Sequence, residues 1–218
     1  MTKDYVLKRA FERFFWLVVN KYCRLQTNNP TLPKGPYIIC SNHNSHLDSL
    51  ALMFALKRSF QDFNMLAAQD HFQSSSNSKA MIPRLLNLIY LDREARPIET
   101  RRLIKECKRA SDQNKVLIIY PEGTRSIDGK LQPFKSGAVY LACKLNLPII
   151  PAAIFGTGKA LPRNSWFIRP KNITVHFGEQ IIMPDSNSGL DNKSVLKKVT
   201  QELEMSVNAL LSKISDAS

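Results

Sequence analysis

A chain of 218 residues, 44% of them apolar, can enclose one sizeable core but not two comfortable ones, so a second full domain is excluded. The longest apolar runs, Phe14–Val19 and Leu50–Leu56, fall far short of the roughly 20 residues that cross a bilayer, which argues against a spanning helix. The 31 basic residues against 18 acidic give a formal net charge of +13, which favours anionic partners but does not choose between nucleic acid and an acidic membrane surface.

The basic excess is concentrated in two places, with net charges of about +5 in residues 1–35 and again in 131–182. Within the first, residues 3–25 place Leu7, Phe11, Phe14, Val18, Tyr22 and Leu25 on one helical face, while Lys8, Arg9, Arg13, Lys21 and Arg24 fall largely elsewhere. Such a helix either packs on its own domain or lies in a membrane interface, and the periodicity leaves both open. Glu12, Arg13 and Asn20 interrupt the stretch and it lacks a small-residue cleavage site, so it does not read as a signal peptide. Residues 1–34 are therefore expected to form an amphipathic, membrane-contacting helix ahead of a catalytic-sized domain over 35–218.

From Tyr37 onwards the pattern alternates. The buried run Tyr37-Ile38-Ile39-Cys40 predicts a strand and 47–58 a helix; strands follow near 63–68, 88–92, 115–120, 148–153 and 172–177. Helices are expected near 79–87, 97–112, 135–145 and 192–214, and the serine cluster Ser74–Ser78 reads as a surface loop. Strands alternating with helices predict a single α/β domain with a mostly parallel, mixed sheet flanked by helices. Cys23, Cys40, Cys107 and Cys143 are widely spaced and read as reduced core residues of a cytosolic protein.

Two loops attract attention because each directly follows an apolar strand, where α/β sheets place their ligands. The first is Ser41-Asn42-His43-Asn44-Ser45-His46-Leu47-Asp48. A loop His43 folding back on Asp48 in the first helical turn would have its tautomer fixed and could take a proton from a hydroxyl near neutral pH. The same residues also suit a capping box between Ser45 and Asp48 with ordinary loop polar groups around it. A metal cluster of His43, His46 and Asp48 lacks a second dense ligand group, since only His71 and His176 remain elsewhere.

The second loop is Tyr120-Pro121-Glu122-Gly123-Thr124-Arg125-Ser126, after Val116-Leu117-Ile118-Ile119. Gly123 permits close backbone approach to a ligand, and Arg125 can offer its planar fork to a phosphate with Thr124 as a further donor; a polar turn with a surface arginine satisfies the residues equally. A weaker third segment is Leu91-Asp92-Arg93-Glu94, where a basic residue ends another strand-like run.

Taken together, Asn42-His43-x4-Asp48, Arg93, Pro121-Glu122-Gly123-Thr124-Arg125 and Leu147-Pro148-Ile149-Ile150-Pro151 resemble, in order, the four blocks of the glycerolipid acyltransferases over residues 35–182. The resemblance implies the glycerol-3-phosphate acyltransferase-like fold. It implies His43 as general base with Asp48 as its partner, and Arg93, Glu122, Gly123, Thr124, Arg125 and Lys135 as the acceptor's glycerol-phosphate site. The implied reaction moves a fatty acyl group from acyl-CoA or acyl carrier protein to a lysophospholipid, foremost 1-acyl-sn-glycerol-3-phosphate, giving phosphatidic acid. No metal or cofactor beyond the thioester co-substrate is expected, and the place of action is the cytoplasmic face of a membrane, peripherally bound. His46 stands where many relatives carry a large aromatic residue, and the Arg93 block lacks the glycine that often precedes it. A different acceptor within the same family is one rival reading. A basic nucleic-acid-binding module is another, but the chain carries no recognised motif for that role.

Overall fold

The computed structural model describes residues 3–28, 31–68, 86–92, 96–163, 165–184 and 193–216. Among these residues seven strands make one sheet: β1 (Gln26–Thr27), β2 (Ile38–Ser41), β3 (Phe63–Ala68), β4 (Leu88–Leu91), β5 (Val116–Ile119), β6 (Ile149–Phe155) and β7 (Thr174–Phe177). Their order is β1-β7-β6-β2-β5-β3-β4. The pairings from β6 through β2, β5 and β3 to β4 are all parallel, β7 runs antiparallel to β6, and β1 lies parallel to β7. This is the mixed, mostly parallel sheet that the alternating pattern predicts.

The short central strands are apolar on both faces because both are covered, as parallel sheets require. Ile39, Ile118, Ile150, Ala152 and Ile154 face one layer, where helix α2 (Asp48–Ala55) packs. Ile38, Cys40, Leu117, Ile119 and Ile149 face the other, beneath α3 (Pro97–Asp112), α4 (Gly137–Leu145) and, beyond a short α5 (Thr157–Ala160), the C-terminal α6 (Lys193–Asp216). Local chemistry agrees with the boundaries: α3 opens on Pro97 with Glu99 in its first turn, and α4 ends at Asn146 in the left-handed conformation with φ 51°. All four cysteines are buried and free, and burial pushes the Cys107 thiol up to about 12.

Helix α1 (Lys3–Trp16) continues into a π-helical turn, Leu17–Tyr22, closed by the Cys23 N–H donating to the Val18 carbonyl at 2.8 Å. The sequence periodicity puts Leu7, Phe11, Phe14, Val18, Tyr22 and Leu25 on one face, but the structure divides them. Phe11, Phe15 and Leu25 pack against the core that encloses Val19 and Cys23, whereas Leu7, Phe14 and Tyr22 stand exposed beside Val6, Trp16 and Leu17. The apolar arc is wider than the surface it rests on, and a π-turn takes more residues per rotation than the 3.6 behind the projection. The helix expected over 79–87 lies outside the described residues except for Leu86 and Asn87, which turn into β4; Ser74–Ser78 and Arg93 also lie outside them.

Candidate active site

Strands β2 and β5 are parallel neighbours, with Ile38 opposite Leu117 and Cys40 opposite Ile119, so both chains leave the sheet at the same carboxyl edge. That register brings together two loops separated by some 80 residues. The joint is made by main chain and carboxylate. The His43 N–H donates to Glu122 Oε1 at 2.6 Å, the Gln132 N–H donates to Glu122 Oε2 at 3.0 Å, and the Ser126 N–H donates to the His43 carbonyl at 2.8 Å. Glu122 is buried, and burial pushes its carboxyl up while the Gln132 and His43 amides pull it back. Its oxygens are thus committed to two main-chain donors, which makes it a clamp between the loops.

One residue earlier, Asn42 fastens the same loop on its other side. Its side-chain amide donates to the Ile154 carbonyl at 2.9 Å and its Oδ1 accepts the Ile154 N–H at 2.8 Å. Ser45 Oγ donates to the Leu161 carbonyl at 2.9 Å, so the segment after α5 is tied to the site as well.

Within this frame His43 Nδ1 lies 2.8 Å from Asp48 Oδ2. The same oxygen accepts the N–H groups of Asn44 at 2.7 Å and Ser45 at 2.8 Å. Asp48 is wholly buried as the first residue of α2, whose N-cap is Leu47 and not the predicted Ser45; of the predicted capping box only the Ser45 N–H bond to Asp48 forms. One carboxylate thus holds both the loop's main chain and the imidazole. Asp48 is a hydrogen-bond acceptor here, so Nδ1 carries the proton and Nε2 presents its lone pair.

The Tyr120 ring stacks on the His43 ring, with centroids 3.9 Å apart and planes 12° from parallel. Its hydroxyl meets Ser49 Oγ at 2.7 Å. Burial, reinforced by the Asp48 charge, holds the Tyr120 phenol well above its ordinary range against the opposing Ser49 hydrogen bond, so the stacking partner stays neutral. With Asp48 fixing one nitrogen and Tyr120 one face, the imidazole has little freedom to rotate.

The second loop and the segment after it carry the cations. The Lys135 N–H donates to the Pro121 carbonyl at 3.0 Å. Its ammonium rests over Gly123, where a Cβ would stand 3.0 Å from the movable Nζ; it is the φ of +75° that favours glycine. Burial lowers the pKa of Arg125, the like charge of Arg163 lowers it further, and Asp48 opposes both. The structure thus brings His43, Asp48, Glu122, Gly123, Arg125 and Lys135 to one edge, with Thr124 exposed beside them; Arg93 falls outside the described residues. Among the described residues no group of three or more His, Cys, Asp or Glu is arranged to hold a metal ion.

Sequence reasoning gave no role to Tyr120 and Asn42 and did not single out Arg163. Tyr120 offered one signal, as an aromatic residue standing between a buried strand and the Pro-Glu-Gly turn. The Asn42–Ile154 and Arg163–Arg125 relationships had none, since their partners are distant in the chain.

A family model described as acyltransferase matches residues 23–155. The 1-acyl-sn-glycerol-3-phosphate acyltransferase BAT2, chloroplastic, of Brassica napus is 32% identical over 166 residues, covering 72% of this chain and 46% of that protein. The 1-acyl-sn-glycerol-3-phosphate acyltransferase of Limnanthes douglasii is 42% identical over 94 residues, 43% of this chain and 33% of its own. The mouse 1-acyl-sn-glycerol-3-phosphate acyltransferase alpha is 31% identical over 119 residues, 55% of this chain and 40% of its own. The chain therefore spans about a third to a half of the length of these curated relatives. Among solved structures, the 1-acyl-sn-glycerophosphate (LPA) acyltransferase PlsC of Thermotoga maritima shares the fold. The TM-score is 0.65 with 22% identity, covering 97% of this chain and 88% of that one.

Proposed function

The chain belongs to the acyltransferase family, and from that premise we propose that it transfers a fatty acyl group from a thioester, on coenzyme A or acyl carrier protein, to the free hydroxyl of 1-acyl-sn-glycerol-3-phosphate, giving phosphatidic acid. The observation that carries this reading is the His43–Asp48 pair at 2.8 Å, at the sheet edge whose second loop brings Arg125 and, over Gly123, Lys135. A base at an edge that also carries two cations suits an acceptor that is both an alcohol and a phosphate.

In the proposed reaction His43 Nε2 removes the proton from the acceptor hydroxyl as that oxygen attacks the thioester carbonyl carbon. The new C–O bond forms, the C–S bond of the tetrahedral adduct breaks, and the thiolate takes the proton back from the imidazolium. Asp48 stabilises the imidazolium while it lasts. Arg125 and Lys135 neutralise the phosphate and hold the hydroxyl within reach, so that proximity supplies much of the rate. No serine or cysteine nucleophile takes part.

The acceptor is a membrane lipid, and among the described residues no helix is long and apolar enough to cross a membrane. We place the enzyme peripherally on the cytoplasmic face of a membrane, with α1 and the π-helical turn after it in the interface. There the exposed Leu7, Phe14 and Leu17 supply the apolar face, and the basic excess of residues 1–35 attracts anionic lipid. The test is product formation by the purified chain from acyl-CoA and from acyl carrier protein, with lysophosphatidate and with phosphate-free lysolipids. Phosphatidic acid from lysophosphatidate, absent with His43→Ala, is the expected result. Equal turnover of acceptors lacking the phosphate would remove the assignment of Arg125 and Lys135.

A further inference from the structure

Among the described residues the three most exposed large apolar side chains are Trp166 at 89%, Ile127 at 88% and Phe167 at 83%. Isolated apolar residues on a surface need no explanation, but the segments carrying these leave the sheet at one edge. Ile127 follows Ser126, whose N–H holds the His43 carbonyl. Trp166 and Phe167 lie in the described stretch 165–172, which follows β6 and α5; Leu161, directly after α5, gives the carbonyl that takes Ser45 Oγ. Because β6 is parallel to β2 and β2 to β5, both segments rise from the edge that carries His43.

The tip is built, not frayed. The Ser165 N–H donates to the Pro162 carbonyl at 3.0 Å, and Ser165 Oγ accepts the Phe167 N–H at 3.2 Å. The base is closed by the Arg169 N–H on the Ala160 carbonyl at 2.7 Å, and Ile168 turns inward against the core. A loop fixed in this way spends no apolar side chain on its own packing at positions 166 and 167. Around it the charge is one-sided: Arg163, Arg169 and Lys171 are exposed, and no Asp or Glu occurs between Asp128 and Glu179. The N-terminal segment arrives at the same place. Cys23 Sγ donates to the Arg169 carbonyl at 3.7 Å, and the Ile173 N–H donates to the Cys23 carbonyl at 3.0 Å. Amphipathic rings beside arginine and lysine match a headgroup layer, with the rings at the acyl boundary and the cations on lipid phosphates.

We propose that the Trp166–Phe167 tip, together with Ile127, is a second membrane contact that inserts into the headgroup region of an anionic bilayer and sets the His43 edge against the lipid surface. The proposal rests on the peripheral-membrane reading above and goes beyond it by placing the catalytic edge itself, and not only α1, in the interface.

Trp16 and Trp166 are the two tryptophans of the chain, so Trp16→Phe leaves Trp166, in an untouched loop, as the sole tryptophan, excited selectively at the red edge where the tyrosines do not absorb. Its emission is read on phosphatidylglycerol-containing vesicles and on phosphatidylcholine vesicles, with co-sedimentation measured in parallel. The expected result is a blue shift and quenching by bromine-labelled acyl chains on the anionic vesicles, both weakened by salt. Trp166→Ser with Phe167→Ser in the full chain is expected to lower partitioning onto those vesicles at least about tenfold. If the Trp16→Phe protein sediments with anionic vesicles while Trp166 emission stays unmoved, the loop contact is wrong and the helix contact stands. If the protein does not sediment with them at all, both fall. A shift produced by acyl carrier protein without vesicles, and none with them, would make the tip a protein dock and overturn the proposal.

Discussion

Glu122 holds the main chain of His43: 2.6 Å separate its Oε1 from the His43 amide nitrogen, and its second oxygen takes the Gln132 amide. A carboxylate can accept on both sides, whereas a carboxamide turns an N–H group towards one of the two donors. Glu122→Gln should therefore cost about 1–3 kcal/mol in urea unfolding, the usual range for one buried donor left without a partner. It should lower kcat with little effect on acceptor KM. A raised acceptor KM at intact kcat would instead assign Glu122 to the phosphate site that the family resemblance implies.

His43→Ala removes the base and should reduce turnover by about 10²–10⁴ without a matching loss of stability. Asp48→Asn is the milder change. Because all three donors converge on a single oxygen, an asparagine carbonyl can take that place and keep the Nδ1–H tautomer; the charge opposite the imidazolium is lost, and the amide N–H groups fall where the buried Oδ1 has no partner, at some cost in stability. Single-turnover rates for the two variants provide the comparison, and equality with the wild type in both would end the general-base assignment.

Arg125→Lys keeps the charge and loses the fork. Acceptor KM should rise about tenfold, with donor KM changed less than about twofold, because an ammonium cannot reproduce a bidentate phosphate contact. The reverse pattern would move Arg125 to the donor side.

The four thiols are buried, and burial raises each of them, which suppresses thiolate at any working pH. A chromogenic disulfide reagent at pH 8 should find no fast-reacting cysteine in the native protein and all four after denaturation. Rapid modification of even one native thiol would contradict the packing described for that residue.

Leu7, Phe14 and Leu17 lie on the exposed side of the N-terminal helix, while Phe11, Phe15 and Val19 anchor its other side. Replacing the first three with serine should weaken binding to anionic vesicles at least about tenfold and leave the melting temperature nearly unchanged. Removing residues 1–25 outright should instead destabilise the domain, since Val19 and Cys23 sit in its core. Differential scanning calorimetry alongside vesicle sedimentation separates the two effects.

What the sequence made legible was local. Runs such as Val116–Ile119 announce buried strands, and the loops after β2 and β5 stand out because polar, chemically capable residues directly follow such runs. The spacing of His43 and Asp48 was readable because one loop and one helical turn are enough to join them. The pairing of Glu122 with His43, the Asn42 bridge to Ile154 and the stack of Tyr120 on His43 depend on which strands become neighbours, and strand order is fixed by packing over the whole domain. The division of the N-terminal apolar stripe was hidden for a related reason: periodicity records which residues share a side, but neither how much of that side meets a core nor where the helical pitch changes.

The Asn42 side chain occupies both main-chain groups of Ile154 just beyond the point where β2 leaves the sheet. It acts as one more rung, and the edge of β6 stays paired although its neighbouring strand has ended. The amide of Ile154 should then exchange with deuterium as slowly as those in the middle of the sheet, at a rate governed by opening of the whole domain and not by fraying of a strand end. The segment carrying His43 starts at that rung, so heat or denaturant should abolish its alignment together with the fold, with no earlier phase in which a folded protein holds a loosened base.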